Sequence, residues 1–140
     1  MSVLKKKVCI LAYDGLCTFE FGIAVESFAL PRPELPAWYE SRVVAAEPGS
    51  LRAIGGVQVH ADYDIGSLQG SSLIIVPGWR GVDAAVPLPL KQALQEAHKQ
   101  GSRIASICSG VFVLAQCGFL DGRRVTTHWR YLDQLQSRYP

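Results

Sequence analysis

Residues 103–117, which read RIASICSGVFVLAQC, are the stretch from which the fold is predicted. Residues 103–107 have the apolar character of a buried strand and lead directly into Cys108. Residues 109–117 are apolar nearly all round, as expected of a buried helix. A strand that is followed at once by a helix is the unit from which α/β sheets are built. The stretch therefore predicts a parallel sheet with helices packed on it.

The rest of the chain continues this alternation of strands and helices. Apolar runs predict further strands of the sheet at residues 8–12, 42–46 and 72–76. Helical spacing predicts helices at residues 18–30, 90–101 and 128–138. Thr18 is the predicted N-cap of the first helix. Residues 51–60, with two glycines at their centre, predict a β-hairpin beside the main sheet.

Length and charge limit the functions of the chain. Its 140 residues, 49% of them hydrophobic, suit one domain that spans residues 1–140. The net charge is +2, and the basic residues are scattered apart from residues 5–7, interpreted as a solvated flank, and Arg123-Arg124. DNA-binding surfaces carry dense basic stripes, so this chain alone is not expected to bind nucleic acid. It has neither a run of 18 apolar residues nor a signal-peptide core, which predicts no membrane partner and a cytoplasmic location.

The cysteines and histidines give no sign of a metal site. The four cysteines show no C-x-x-C spacing, and the three histidines lie far apart. No metal and no cofactor is therefore predicted, and the cysteines are interpreted as free thiols of an intracellular protein. Cys9, inside an apolar strand, is interpreted as a small core residue.

Cys108 is the strongest candidate for chemistry. Ser106 precedes it by two residues, Gly110 follows it by two, and it lies between a predicted strand and a predicted helix. This context is typical of a nucleophile elbow, in which small neighbours allow a tight turn that lifts the central side chain over the sheet. The N-terminus of the following helix favours a thiolate, so Cys108 is a candidate nucleophile or redox-sensitive thiol.

Glu20 and His128 are candidate partners of this cysteine. Glu20 lies in the first turn of a predicted helix, where it either shares a proton with Cys108 or is a solvated carboxylate that complements the helix dipole. His128 could act as a base or as an imidazolium beside the thiol, but the spacing of 20 residues does not establish that they meet.

Four further residues are candidates for ligand binding. The backbone N–H groups of Gly78 and Ser109 are suited to an oxyanion hole, although Gly78 is equally consistent with a plain turn. Trp79 and Trp129 follow predicted strand ends, and they either line a ligand pocket or pack in the core. In open α/β sheets, ligands bind beyond the carboxyl ends of the strands, where three of these four residues are predicted to lie.

Four stretches together carry a resemblance to a known family: residues 11–22, 76–81, 106–115 and 126–129. With them, the chain resembles the ThiJ/PfpI superfamily, whose fold is that of class I glutamine amidotransferases. Within it, the chain is similar to the N-terminal domain of AraC-family transcriptional regulators, on the Thr-Thr-His-Trp sequence at residues 126–129. The resemblance implies a flavodoxin-like parallel sheet sandwiched by helices, with the hairpin as an excursion.

The resemblance also implies roles for individual residues. Cys108 takes the elbow position, Glu20 the place of the acidic residue that hydrogen-bonds the thiol, and His128 that of the histidine found after the elbow. Trp79 stands where many enzymatic relatives have a small residue, so its ring is expected to narrow the site. A homodimer is implied, and so is a domain that runs beyond Pro140; the chain is therefore expected to be truncated at its C-terminus.

Three functions follow from these residues and this resemblance. The first is a domain that senses an unknown small molecule near Cys108 and dimerises, while DNA is bound through a helix-turn-helix region that this chain does not contain. The second is an enzyme, such as a hydratase or a glyoxalase-like enzyme, that uses Cys108 on a small electrophile. The third is a redox sensor in which Cys108 is oxidised to a sulfinic acid beside Glu20.

Overall fold

A computed structural model describes residues 6–140 of the chain, so Lys5 of the predicted solvated flank lies outside the described residues. The strands are β1 (Lys7–Ala12), β2 (Glu40–Ala45), β3 (Leu51–Arg52), β4 (Gln58–Val59), β5 (Leu73–Val76) and β6 (Arg103–Ser106). The α-helices are α1 (Thr18–Phe28), α2 (Leu88–Lys99), α3 (Val111–Gln116) and α4 (Leu132–Arg138). Short 3₁₀ turns occupy Ile65–Leu68, Cys108–Gly110 and Trp129–Tyr131. The predicted alternation of strands and helices is confirmed.

Four strands form a parallel sheet in the order β2-β1-β5-β6. The chain passes from β1 to its neighbour β2 on one side and then crosses to β5 on the other. This reversal creates a crevice between the carboxyl ends of β1 and β5, where open α/β sheets bind their ligands. The order and direction of the strands confirm the flavodoxin-like parallel sheet.

Helices cover both faces of this sheet. One face of β1, with Cys9 and Leu11, joins a large apolar cluster that includes residues of α2 and α3. The other face, with Val8 and Ile10, packs against Ala24 of α1. These four side chains of β1 are fully buried, which explains why the strand is continuously apolar and does not alternate between apolar and polar residues. The helix α4 packs on α3 through Leu135.

The predicted hairpin forms from β3 and β4, which pair antiparallel outside the main sheet. It is joined to the start of α1, because the Thr18 hydroxyl donates to the carbonyl of Ile54 at 2.7 Å. The prediction that Thr18 is the N-cap of α1 is therefore wrong. Thr18 is the first helical residue, Cys17 is the N-cap without a side-chain capping bond, and the Thr18 hydroxyl bonds the hairpin instead.

Along residues 6–140, no helix combines the length and the apolar character that a bilayer crossing requires.

Candidate functional site

Three loops meet at the carboxyl edge of the sheet. They follow β1, β5 and β6, and they carry residues 13–20, 77–80 and 108–110. Because β1, β5 and β6 are neighbours and parallel, their carboxyl ends lie side by side. The predicted site residues before position 111 therefore converge on one edge.

Cys108 stands on a sharp bend between β6 and α3. Its φ of 55° is the one positive value of a non-glycine residue in the described chain, and a side chain in this conformation carries backbone strain. The bend lies close against β5, since a Cβ atom added to Gly110 would be 2.3 Å from the carbonyl oxygen of Val76 and 2.6 Å from that of Pro77. Only glycine fits at position 110, which is the small neighbour that a tight strand–helix turn requires.

The surroundings of Cys108 favour its neutral thiol. Burial raises the pKa of the Cys108 thiol, a hydrogen bond with the backbone N–H of Ser109 lowers it, and a hydrogen bond to the Glu20 carboxylate raises it again. The net direction is upward. It is opposite to the thiolate expected from the helix N-terminus, because desolvation outweighs the single N–H at that terminus.

Glu20 lies in the first turn of α1 and is half-buried. The Glu20 carboxylate lies near enough to Cys108 to raise the pKa of its thiol, and sharing of a proton between these two groups stays a prediction. The carboxylate also faces Gly78, because a Cβ atom there would lie 3.5 Å from the Glu20 carboxyl carbon. Glu20, Gly78 and Cys108 thus line one crevice.

The buried Tyr13 side chain holds the loop after β5 in place by hydrogen bonds to its backbone. This side chain is fully buried, and its hydroxyl donates to the carbonyls of Pro77 and of Gly78, the latter at 3.1 Å. The Gly78 carbonyl also accepts from the backbone N–H of Cys17 at 3.2 Å. The Gly78 backbone is consequently fixed on two sides, as a preorganised donor site would require. Donation by the Gly78 N–H to a ligand stays a prediction.

Trp79 contacts the Cys108 bend through its backbone carbonyl, while its ring packs in the core. The ring is 2% exposed, packs edge-on against Tyr13 with centroids 4.6 Å apart, and donates its N–H to the Ala84 carbonyl at 3.0 Å. The Trp79 carbonyl accepts from the buried Ser109 hydroxyl at 3.1 Å. Of the two interpretations of Trp79, packing is the one the structure supports; the expected narrowing of the site is absent because the ring is held in the core.

His128 and Trp129 form no hydrogen bond with the Cys108 thiol among the described residues. Both are exposed, Trp129 to 78%, and their rings stack on each other with centroids 5.4 Å apart. His128 accepts from the backbone N–H of Arg130 through Nδ1, and no hydrogen bond within residues 6–140 joins it to Cys108. Its neighbour Thr127 does reach the elbow, since the Thr127 hydroxyl donates to the Cys108 carbonyl at 2.7 Å. A role of His128 as a base stays a prediction.

Three residues of this arrangement were missed in the sequence. Tyr13, Cys17 and Thr127 hold or line the crevice through contacts that are 19 to 65 residues distant along the chain. The available signal was the position of Tyr13 and Cys17 in the loop directly after a buried strand, where ligand-binding residues concentrate. Nothing in the local pattern distinguishes Thr127 from its neighbour Thr126.

One cavity of the structure lies at the opposite edge of the sheet from Cys108. A cavity of about 390 Å³ is formed by residues 28–41, at the amino edge of the sheet. Ligand sites of open α/β sheets lie at the opposite edge, so this cavity does not belong to the Cys108 site. In the part of the chain that the structure describes, no three His, Cys, Asp or Glu side chains are grouped as metal ligands.

Comparison with protein families finds one match over almost the entire chain. Residues 6–139 match the model of the DJ-1/PfpI family. The match includes each loop of the crevice and the Thr-Thr-His-Trp segment.

Several curated proteins resemble the chain in sequence. The HTH-type transcriptional regulator CdhR of Pseudomonas aeruginosa is 33% identical over 131 residues, which is 93% of this chain and 39% of the regulator. A Streptomyces lividans protein from the cpoL 5′ region is 31% identical over 96% of this chain and 95% of its own length. The isonitrile hydratase of Pseudomonas putida is 38% identical over 68 residues, 46% of this chain and 29% of the enzyme. The chain thus spans well under half of the regulator.

Solved structures share the fold. The AraC family transcriptional regulator from Pseudomonas putida superposes with a TM-score of 0.76 at 15% identity, covering 95% of this chain and 72% of that one. A ThiJ/PfpI family protein from Pseudomonas syringae gives a TM-score of 0.78 at 19% identity over 94% of this chain and 54% of that one. At these identities the likeness establishes the fold alone.

Proposed function

This chain belongs to the DJ-1/PfpI family, and we propose that it is the ligand-sensing and dimerisation domain of an AraC-type transcriptional regulator. The observation that carries this proposal is the crevice in which Glu20, Gly78 and Cys108 converge at the carboxyl edge of the sheet. Similarity to the regulator CdhR over 93% of the chain supports a regulatory and not a purely metabolic role.

The charge in the crevice limits the ligand. Glu20 is the acidic side chain that raises the pKa of Cys108, while the nearby Arg80 is occupied by an ion pair with Glu47. A buried anion would have to be desolvated beside a carboxylate without a free cation to compensate it. We therefore propose a small cationic or neutral ligand with hydrogen-bonding groups.

An exposed apolar patch beside the crevice supports dimerisation. It consists of Phe19 and Ile23 on α1 and of Ile54 and Val57 in the hairpin, with exposures between 38% and 77%. The bond from Thr18 to the Ile54 carbonyl places the hairpin turn against the start of α1. A two-fold interface uses the same patch twice, so a second copy of the chain is a sufficient partner. Glu20 follows Phe19 directly on α1, so a dimer contact through this patch would lie next to the proposed ligand site.

DNA recognition is assigned to a region outside this chain. The chain has a net charge of +2 and spans 39% of CdhR, which is an HTH-type (helix-turn-helix) transcriptional regulator. A ligand-dependent change in the dimer would then be transmitted to a separate DNA-binding region. Location in the cytoplasm, where a regulator meets DNA, is part of the same proposal.

Thermal-shift measurements on the protein test the sensing proposal. The probes are a panel of small metabolites divided into cationic, neutral and anionic members, and the proteins are wild type, Cys108→Ala and Cys117→Ala. We expect cationic or neutral members to raise Tm of wild type and of Cys117→Ala, and the shift to be lost in Cys108→Ala, because bound ligand stabilises the folded state. Shifts that are equal in all three proteins, or a panel without any shift, would count against the proposal.

A second candidate function is the hydration of an isonitrile. It is favoured by one observation, the Glu20 carboxylate beside the Cys108 thiol, whose pKa it raises, together with the similarity to isonitrile hydratase over 46% of the chain. In this reaction the Cys108 sulfur adds to the isonitrile carbon while that carbon gains the thiol proton through Glu20. Water then displaces the sulfur, and an N-substituted formamide leaves. The overall balance is one isonitrile and one water to one formamide.

Formamide production from an alkyl isonitrile distinguishes the two functions. An enzyme converts the isonitrile catalytically, and Cys108→Ser loses at least about 100-fold in rate while Cys117→Ala keeps it. Equal formamide production by wild type, Cys108→Ser and a protein-free control would remove the enzymatic function.

A further inference from the structure

The crevice contains a second thiol, that of Cys17. Cys17 is half-buried at the N-cap of α1, and its sulfur lies 4.0 Å from the carbonyl oxygen of Trp79. A Cβ atom on Gly78 would be only 2.7 Å from this sulfur, so the Cys17 side chain occupies the space that glycine leaves. The thiol therefore faces the same loop that borders Cys108.

One hydroxyl relates the two cysteines in space. The Ser109 side chain donates to the Trp79 carbonyl, the oxygen that the Cys17 sulfur also approaches. The same hydroxyl lowers the pKa of both the Cys17 thiol and the Cys108 thiol through hydrogen bonds, against the larger effect of burial. The Trp79 carbonyl oxygen thus has the Cys17 sulfur at 4.0 Å and, at 3.1 Å, the hydroxyl of Ser109, the residue that follows Cys108.

The two remaining cysteines have no such position. Cys9 is fully buried in β1, and Cys117 is 6% exposed at the end of α3 within the same apolar cluster. The four cysteines thus divide into two core residues and two crevice residues. Chemistry of the thiols is expected in the crevice pair, where access and a thiol neighbour coincide.

We propose that Cys17 and Cys108 form a reversible disulfide across Gly78 when a hydroperoxide oxidises the Cys108 thiol. Cys108 is the first to react because it stands on the strained bend, where the backbone N–H of Ser109 favours its thiolate, while Cys17 lies against the Gly78 loop.

The chemistry proceeds in two balanced steps. In the first, the Cys108 thiolate attacks the terminal oxygen of the hydroperoxide. The O–O bond breaks and the sulfenic acid forms, while alkoxide (hydroxide in the case of hydrogen peroxide) leaves and takes up the proton that the thiol released beforehand. In the second, the Cys17 thiolate attacks the sulfenic sulfur and displaces its oxygen as water. Two thiols and one hydroperoxide thereby give one disulfide, one alcohol or water, and one water.

The rate of disulfide formation depends on the distance between the two cysteines and on the pKa of their thiols. A disulfide requires Cβ atoms about 3.8 Å apart, so the loops that carry Cys17 and Cys108 must approach each other to that separation while rotation about χ1 brings the two sulfurs together. Burial raises the pKa of both thiols, which keeps them mostly protonated at neutral pH. The oxidation is expected to be slow near pH 7 and to accelerate as pH rises, because the thiolate is the reactive form.

The disulfide would also alter the crevice. It removes the thiol that hydrogen-bonds Glu20 and draws Cys17 over Gly78, so oxidation would exclude a ligand from the site. This consequence rests on the proposed sensing function. Formation of the bond does not, and it is measured without any ligand.

Peptide mapping of the peroxide-treated protein tests the proposal. The full chain is treated with hydrogen peroxide, free thiols are blocked with iodoacetamide, and the peptides are mapped by mass spectrometry. Proteolysis at acidic residues separates Cys9 from Cys17, since Asp14 lies between them, but no Lys, Arg, Asp or Glu separates Cys108 from Cys117. Cys117→Ala therefore serves as the matched control that leaves Cys108 the only cysteine in its peptide.

The expected result is a cross-linked pair of peptides around Cys17 and Cys108, in wild type and in Cys117→Ala, that dithiothreitol dissociates. In Cys17→Ala and Cys17→Ser the cross-link falls to background, and Cys108 proceeds to the sulfinic acid, which dithiothreitol does not reverse. Circular dichroism verifies that the variants are folded. The proposal would be overturned if Cys108 of the wild-type protein reached the sulfinic acid while Cys17 stayed a free thiol that iodoacetamide alkylates. It would also be overturned if peroxide oxidised neither thiol.

Discussion

At the residue scale, the elbow cysteine combines strain with polar contacts. A non-glycine residue at a φ of 55° costs on the order of 1 kcal/mol, and such strain persists where surrounding contacts hold it in place. For Cys108 these contacts are the Thr127 hydroxyl on its carbonyl and the close packing of Gly110 on β5. Strained residues cluster at functional sites, which agrees with a binding role for this bend.

Tyr13 gives the first prediction at this scale. Tyr13→Phe removes the hydroxyl that donates to the carbonyls of Pro77 and Gly78, which leaves a buried acceptor unsatisfied. We expect the free energy of unfolding to fall by about 1–2 kcal/mol in urea titrations. Tyr39→Phe, at an exposed tyrosine, is the control and should change it by less than about 0.5 kcal/mol. Equal stabilities of wild type and Tyr13→Phe would contradict the role assigned to the hydroxyl.

The crevice residues differ in how far the sequence predicts them. Cys108, Glu20 and Gly78 follow from local rules, namely small neighbours around a nucleophile type, a carboxylate in the first turn of a helix, and a glycine after a buried strand. Tyr13 and Cys17 do not, because their partners are brought to them only by the parallel pairing of β1 with β5. Trp79 could be assigned to the core only once the buried Tyr13 ring was seen beside it.

At the scale of elements, the close approach of the elbow to β5 makes a quantitative prediction. Gly110→Ala places a methyl group 2.3 Å from the carbonyl oxygen of Val76, and backbone at this depth cannot move away. We expect a loss of about 2–3 kcal/mol and a lower Tm.

Gly22→Ala is the matched control for this change. Gly22 lies in α1, and a Cβ atom there meets no neighbour within 4 Å. Alanine is a better helix former than glycine, so this variant should gain about 0.5–1 kcal/mol. If both substitutions changed the stability equally, packing of the elbow on β5 would not be what demands glycine at position 110.

Secondary structure was predictable where burial dictates the pattern. The apolar runs of β1 and β5 identify strands that are buried on both faces, and two glycines identify the hairpin turn. The cap of α1 was not predictable, because the Thr18 hydroxyl can either accept from a backbone N–H as an N-cap or donate to a carbonyl, and the hairpin carbonyl of Ile54 is visible only in the fold.

At the scale of the whole molecule, a core thiol makes stability dependent on alkaline pH. Burial raises the pKa of Cys117 to about 11 from the ordinary 9.0. Because the folded protein holds this proton more tightly than the unfolded chain, its contribution is complete below about pH 9 and is lost as pH rises through about 11. The loss amounts to about 2–3 kcal/mol, at about 1.4 kcal/mol for each pKa unit.

Urea titrations between about pH 8 and about pH 11 measure this effect. Cys117→Ala should be less stable than wild type at the lower pH, owing to lost packing, but should lose less stability as pH rises. Parallel stability curves for the two proteins would contradict the assignment. Tyr13 has a raised pKa from burial in both proteins, so its effect cancels in the comparison.

The apolar patch predicts the oligomeric state. Phe19→Glu puts a charge at the centre of the patch of Phe19, Ile23, Ile54 and Val57, and we expect the mass measured by light scattering to fall from that of a dimer to that of a monomer. The control Val125→Glu, at another exposed apolar residue, should leave the dimer unchanged. A wild-type protein that is monomeric, or a Phe19→Glu variant that is still dimeric, would show that this patch is not the contact between two copies.

Cys108 and Cys17 lie in an open crevice at the carboxyl edge of the sheet. The accessibility of the protein's four thiols to a reagent tests this placement most directly. Native protein is treated with iodoacetamide at about pH 9, where thiolates are present, and the modified fraction of each cysteine is followed by mass spectrometry. The structure predicts that Cys108 and Cys17 are modified while Cys9 and Cys117 stay protected until the protein unfolds. If Cys108 is protected as completely as Cys117 in the folded protein, the thiol faces packed hydrocarbon instead of a crevice, and the proposed binding site is wrong.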